Sequence, residues 1–84
     1  MFSERFHLPI QITRHAALRM SERGMDNALL LDLLETGVIK HKDDLRLWVY
    51  KYYAERTDNL LCAAVVLETA LVVKTVMHHF TPEA

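Results

Sequence analysis

His15, Arg19 and Arg23 recur every fourth residue within Thr13–Gly24. On a helix that spacing puts one imidazole and two guanidinium groups on a single stripe. An imidazole can give or take a proton near neutral pH, and a guanidinium fork can hold two oxygens of a phosphate. The pattern therefore suits an acid–base group beside an anion clamp. It equally describes a solvated helix face, where charged side chains ordinarily stay exposed. A second set of candidates lies further on. Lys51 and Tyr53 alternate along a strand-like run, Thr75 stands on a later one, and the three can share one concave sheet surface. His78 and His79 close that later run, and strand neighbours point to opposite faces, so only one of them can join His15.

The elements that must position these groups are legible in the local pattern. Thr13 is a good N-cap for a first helix, and Gly24 can take the left-handed conformation that ends one. Ala16, Ala17 and Met20 form the stripe beside the basic one and should face the core. Asp26 should cap a second helix, in which Leu29, Leu30, Leu33 and Leu34 face the core and Asp32 and Glu35 lie opposite; Gly37 should stop it. Leu18 and Leu31 lie off both stripes. Beyond Gly37 the runs Val38–Lys42, Leu47–Tyr53, Leu60–Leu67 and Leu71–His79 read as strands, separated by short polar turns. Leu60–Leu67 is apolar throughout and should be central. Met1–Gln11 has no clear period; Phe2, Phe6 and Ile10 suit an arm laid over the core. The fold class expected is α+β: two N-terminal helices packed on one face of a four-stranded antiparallel meander sheet. One domain, 1–84, then divides into an arm (1–11), a helical pair (13–37) and a sheet (38–80).

Composition bounds the function. A chain of 84 residues builds one modest core. Its hydrophobic fraction of 51% is high for that size and suggests a partner or a self-association face. The net charge of −1 gives no general pull toward nucleic acid, but residues 1–24 carry four arginines against two glutamates, so a local basic patch is expected. Cys62 is the only cysteine, which excludes an internal disulfide and a cysteine-based metal cluster. The five histidines lack ligand spacing, and two glycines cannot make a phosphate-binding loop, so neither metal nor cofactor is expected. The longest apolar run is far shorter than the ~20 residues of a membrane span. These features point to a cytoplasmic protein with no membrane partner.

The motif His15-Ala16, Arg19-Met20, Arg23-Gly24-Met25 resembles the opening signature of a small bacterial family of unassigned function. The likeness runs from Ile12 to Phe80. It implies a fold similar to that of the RelE/ParE- and BrnT-type ribonuclease toxins. In such proteins catalysis uses basic and hydroxyl residues on the sheet plus a C-terminal residue. What this implies is a catalytic set of His15, Arg19, Lys51 and His78, with Arg14, Arg23, Arg46 and Tyr53 holding phosphate or RNA. The partners implied are RNA and an antitoxin-like protein. A metal-free ribonuclease needs a base for the 2′-hydroxyl, cations for the phosphorane and an acid for the leaving oxygen. The alternative is a non-catalytic protein–protein interaction module, a homodimer, which the apolar surplus and near-neutral charge favour.

Overall fold

The computed structural model describes residues 1–54 and 60–77. In chain order they form β1 (Phe2–Ser3), β2 (Leu8–Ile12), α1 (Arg14–Glu22), α2 (Asn27–Thr36), β3 (Val38–His41), β4 (Arg46–Tyr52), β5 (Leu60–Leu67) and β6 (Leu71–Met77). The strands make one six-stranded sheet in the order β1-β2-β6-β5-β4-β3. From β3 to β6 every pairing is antiparallel, as the meander reading expects. The expected hairpin turn over 55–59 and the end of the last strand at His78 and His79 lie outside the described residues.

The four-stranded reading is corrected by the first eleven residues. They form two further strands, with Phe6 and Ile10 packed against the core as expected and Phe2 exposed. β1 pairs antiparallel with β2, and β2 pairs parallel with β6 through Ile10↔Leu71 and Ile12↔Val73. The sheet is therefore mixed. The physical reason is a period-2 pattern too short to stand out: Leu8, Ile10 and Ile12 are half-buried while Pro9 and Gln11 are exposed. Parallel pairing with β6 is settled some sixty residues away, which no local window reveals.

Both helices begin where expected. The Thr13 hydroxyl accepts from the Ala16 amide at 3.1 Å, and the Asp26 carboxylate accepts from the Leu29 amide at 2.8 Å. Gly24 sits at φ +64°, where a side chain would be strained. Gly37 is glycine for a different reason. Its backbone is extended, but a Cβ there would stand 2.6 Å from the Leu33 carbonyl oxygen and 2.7 Å from Val49 Cγ1. Leu30, Leu33 and Leu34 are fully buried, with Ala16 and Met20 beside them. Ala17, expected in the core, is exposed. Opposite them stand Leu47, Val49, Leu61, Ala63, Val65, Leu71, Val73 and Val76 from the sheet.

The helices do not lie on a flat face. α1 packs on β6, whereas α2 packs on β4 and β5 and also touches β1 at the far edge. The Arg5 guanidinium, from the β1–β2 turn, donates to the Gly37 carbonyl at 2.7 Å, just ahead of β3. The two edges of the sheet thus approach each other around the end of α2, and the helices occupy the concave side.

A bulge in β6 decides which residues share that side. Ala63 pairs with Val76 and Val65 with Val73, so two residues, Lys74 and Thr75, oppose the single Ala64. Thr75 pairs with Ala64, which pairs with Trp48, on the convex face. Thr75 is therefore not on the surface that carries Lys51 and Tyr53, contrary to expectation; the extra residue reverses the alternation.

Burial separates structural from solvent-facing positions on the helices. Leu33→Ala should cost ~2–5 kcal/mol, because it opens a cavity against the sheet. Arg19→Ala should move stability by no more than about 0.5 kcal/mol. Urea melts of the two variants check this; equal losses would show that the leucine stripe is not the seam.

Candidate functional site

The first turn of α1 gathers positive charge. Arg14 and His15 are both exposed there, and no acidic residue accompanies them. The turn is bound to β6: the Thr13 amide donates to the Val73 carbonyl at 3.2 Å and the Thr13 hydroxyl to the Lys74 carbonyl at 3.2 Å. The bulge residue Lys74, itself exposed, is thus joined to the helix start through its backbone. A helix N-terminus carries a partial positive charge and prefers acidic neighbours, so Arg14 reinforces the dipole's field where a helix built for stability would oppose it. An anion such as phosphate suits that end.

Further along α1 the field is partly cancelled. Arg19 Nη1 lies 2.9 Å from Glu22 Oε1, and Arg23 Nη1 lies 3.9 Å from the same oxygen. His15 and Arg19 lie on the helix and Arg23 follows it as the C-cap, and the two guanidinium groups share a carboxylate.

Lys51 and Tyr53 meet at a second place, where β4 packs against α2. Tyr53 is buried, and its hydroxyl donates to Asp32 Oδ2 at 2.6 Å. Lys51 Nζ donates to the same oxygen at 3.0 Å and to Thr36 Oγ1 at 2.8 Å, and lies 5.3 Å from the centroid of the Tyr53 ring. The Tyr53 hydroxyl, then Lys51, hold the Asp32 carboxyl below its usual pKa. Asp32 and Thr36 are the members that sequence reasoning missed. The available signal was an aspartate one turn ahead of a threonine on the polar side of the leucine stripe.

Arg46 stands apart at the β3–β4 turn. It donates to Asp43 through Nε at 2.7 Å, and Asp43 also accepts the Leu45 and Arg46 amides at 3.0 and 2.8 Å. Arg46 first, then these amides, hold the Asp43 carboxyl at about 2. Burial pushes the Cys62 thiol up to about 12, which disfavours the reactive thiolate.

The expected residues therefore fall into three groups, with Arg46 apart on Asp43. Arg14 and His15 stand at the start of α1; Arg19 and Arg23 share Glu22; Lys51 and Tyr53 share Asp32. They do not converge on one common partner, and His78 lies outside the described residues. Among the described residues no cluster of three or more histidine, cysteine or acidic side chains could hold a metal, and no helix is long and apolar enough to cross a membrane.

Fold and site together define a small α+β domain: two helices held in a curled, mixed six-stranded sheet, with a basic end on the first helix. The chain belongs to the family described as Domain of unknown function (DUF4258), which matches residues 12–78. The match covers both helices and the four C-terminal strands but leaves out β1 and almost all of β2. No curated protein and no solved structure matches the chain. The expected likeness to RelE- and BrnT-type toxins therefore has no match behind it.

The Asp32 cluster makes a prediction about acid. Its folded pKa is lowered, so its contribution to stability is present in full above the unfolded value of about 3.9 and is lost as pH falls through the folded one. Asp32 is part-exposed, so solvent keeps the effect small. Tyr53→Phe removes the largest cause. It should cost about 1 kcal/mol at neutral pH and raise the Asp32 midpoint toward the ordinary range, read from the carboxyl carbon shift by NMR. An unmoved midpoint would show that the hydroxyl does not hold this carboxylate.

Proposed function

We propose that this domain binds RNA through the start of α1, with Arg14, His15 and Lys74 on the phosphates and Arg19 and Arg23 extending the contact along the helix. One observation carries the reading: the first turn of α1 bears exposed cations and no acid, an arrangement that costs helix stability and favours an anion. The chain's overall charge is slightly negative, so attraction is confined to this end and does not spread over the surface.

Cleavage is the catalytic extension of the same reading. His15 is the group free to act as acid or base there, and the neighbouring cations would stabilise the charge that develops on phosphorus. Lys51 has a structural engagement with Asp32 and Thr36, so we assign it to holding β4 on α2.

The test is purified protein on single-stranded and ribosome-bound RNA without added metal. Binding should weaken steeply with salt, and Arg14→Ala or Lys74→Ala should each flatten the log–log dependence by about 0.7. His15→Ala should lower any turnover by ~10²–10⁴ while leaving binding within a few-fold. Binding that ignores salt and all three substitutions would overturn the reading.

A second reading, self-association, is favoured by a different observation. Leu18 is 57% exposed on α1, beside a groove of about 350 Å3 lined by Ile12, Ala17, Met20, Ser21, Met25 and Asn27. A second copy seated there should appear as a dimer in sedimentation at micromolar concentration and dissociate with Leu18→Glu. A monomer throughout would remove that reading.

A further inference from the structure

Two leucines project into solvent with uncommitted charges of opposite sign beside them. Leu18 on α1 and Leu45 at the β3–β4 turn are each 57% exposed. Arg14 lies four residues before Leu18, on the same side of the helix, and makes no ion pair among the described residues. Around Leu45 the uncommitted charges are acidic. Arg46 is spent on Asp43 at 2.6 Å, and the Lys42 ammonium lies 6.0 Å from the Trp48 ring centroid. Asp44 is exposed and makes no ion pair among the described residues. The Leu45 carbonyl accepts the Leu67 amide at 2.7 Å, which brings the exposed Glu68, likewise without an ion pair, to the same end of the sheet. Each leucine also adjoins a hollow. The groove beside Leu18 is lined by Ala17, Met20 and Ser21, and Leu45 walls a cleft of about 520 Å3 with Asp44 and Val66.

We propose that the β3–β4 turn of a second copy seats on α1, with its Leu45 in the groove beside Leu18 and its Asp44 facing Arg14. The proposal rests on the self-association reading and names the element that the second copy contributes. Packing α1 against its own copy is the poorer contact. It would oppose Arg14, Arg19 and Arg23 to one another, and Glu22, the helix's acid, is already shared by the last two. The turn instead brings what α1 lacks: a carboxylate for the first turn of the helix, where negative charge is favourable. Leucine supplies the burial, while the exposed charges set orientation more than affinity. Groove and turn are different surfaces of one molecule, so the contact is head-to-tail, and each copy offers one of each. Arg14 is also the first cation of the RNA reading, so a seated turn and a phosphate compete for it.

The head-to-tail contact is tested by sedimentation of the full chain, alone and in mixtures. Ala17→Glu puts an acid into the groove, at an exposed position near the helix start where an acid favours folding. Leu45→Asn removes the anchor from an exposed turn, which asparagine suits. Each variant alone should stay monomeric at micromolar concentrations where the unaltered chain associates. An equimolar mixture of the two should form a dimer, because one retains the turn and the other the groove. Asp44→Asn should raise the dissociation constant about two- to fivefold at low salt, and less at high salt. A mixture that stays monomeric would overturn the seat of the turn while leaving self-association standing. So would a dimer that Leu18→Glu dissociates and Leu45→Asn does not. An unaltered chain that never associates would overturn both.

Discussion

The Glu35 carboxylate is the contact on which the curl of the sheet depends. It accepts the Ser3 hydroxyl at 2.8 Å, the Glu4 amide at 2.6 Å and, through both oxygens, the Arg5 amide at 3.3 and 3.4 Å. All three donors belong to the first turn of the chain. Arg5 answers from the same turn, its guanidinium reaching the Leu34 and Gly37 carbonyls at 3.1 and 2.7 Å. An acid at a helix C-terminus opposes the dipole, and a cation on the last carbonyls complements it. The exchange satisfies both at once. It also leaves the fully buried Ser3 hydroxyl with two partners, since that oxygen accepts the Phe6 amide at 3.1 Å. Without it, β1 would have little reason to reach α2 across the intervening strands.

Because the edges are drawn together there, the two faces of the sheet have different fates. The concave side is filled by the leucines of α2 and by Ala16 and Met20 of α1. The convex side keeps its aromatic and basic residues. The Lys74 bulge belongs to the same logic. It adds twist to β6 and gives the strand one extra residue just where α1 begins, so Thr13 can bond the carbonyls of both Val73 and Lys74.

Much of this was legible in the sequence, and the failures have identifiable causes. Thr13, Asp26, the leucine stripe and the order of strands from Val38 onward follow from capping chemistry and period alone, which are local. The placement of Met1–Gln11 is not local. Its alternation spans only Leu8–Ile12, and its partner, β6, is at the other end of the chain. The bulge was invisible for a similar reason: nothing in Val73-Lys74-Thr75 announces an extra residue, yet it moves Thr75 to the opposite face. At the candidate site, the His15, Arg19, Arg23 spacing pointed to one helical stripe, but α1 ends at Glu22 and Arg23 is its C-cap. It could not show that Glu22, one residue before Arg23, would share its carboxylate with both guanidinium groups. Lys51 and Tyr53 were correctly paired on one side of β4, but their acceptor, Asp32, is contributed by a helix nineteen residues earlier.

The contrast between the two helices argues where selection has acted. Every charge near the ends of α2 is answered. Asp26 caps its first turn, Arg5 takes its last carbonyls, Glu35 is held by three donors, and Asp32 and Thr36 engage Lys51. α1 answers its C-terminal cations with Glu22 but leaves Arg14 and His15 at its positive end, where Thr13 bonds the backbone carbonyls of Val73 and Lys74. A surface acid there would have been favourable by a few tenths of a kcal/mol or more, and exposure offers no packing reason against it. An unfavourable charge that is cheap to remove is not explained by the fold, and it is the feature on which the proposed anionic ligand rests.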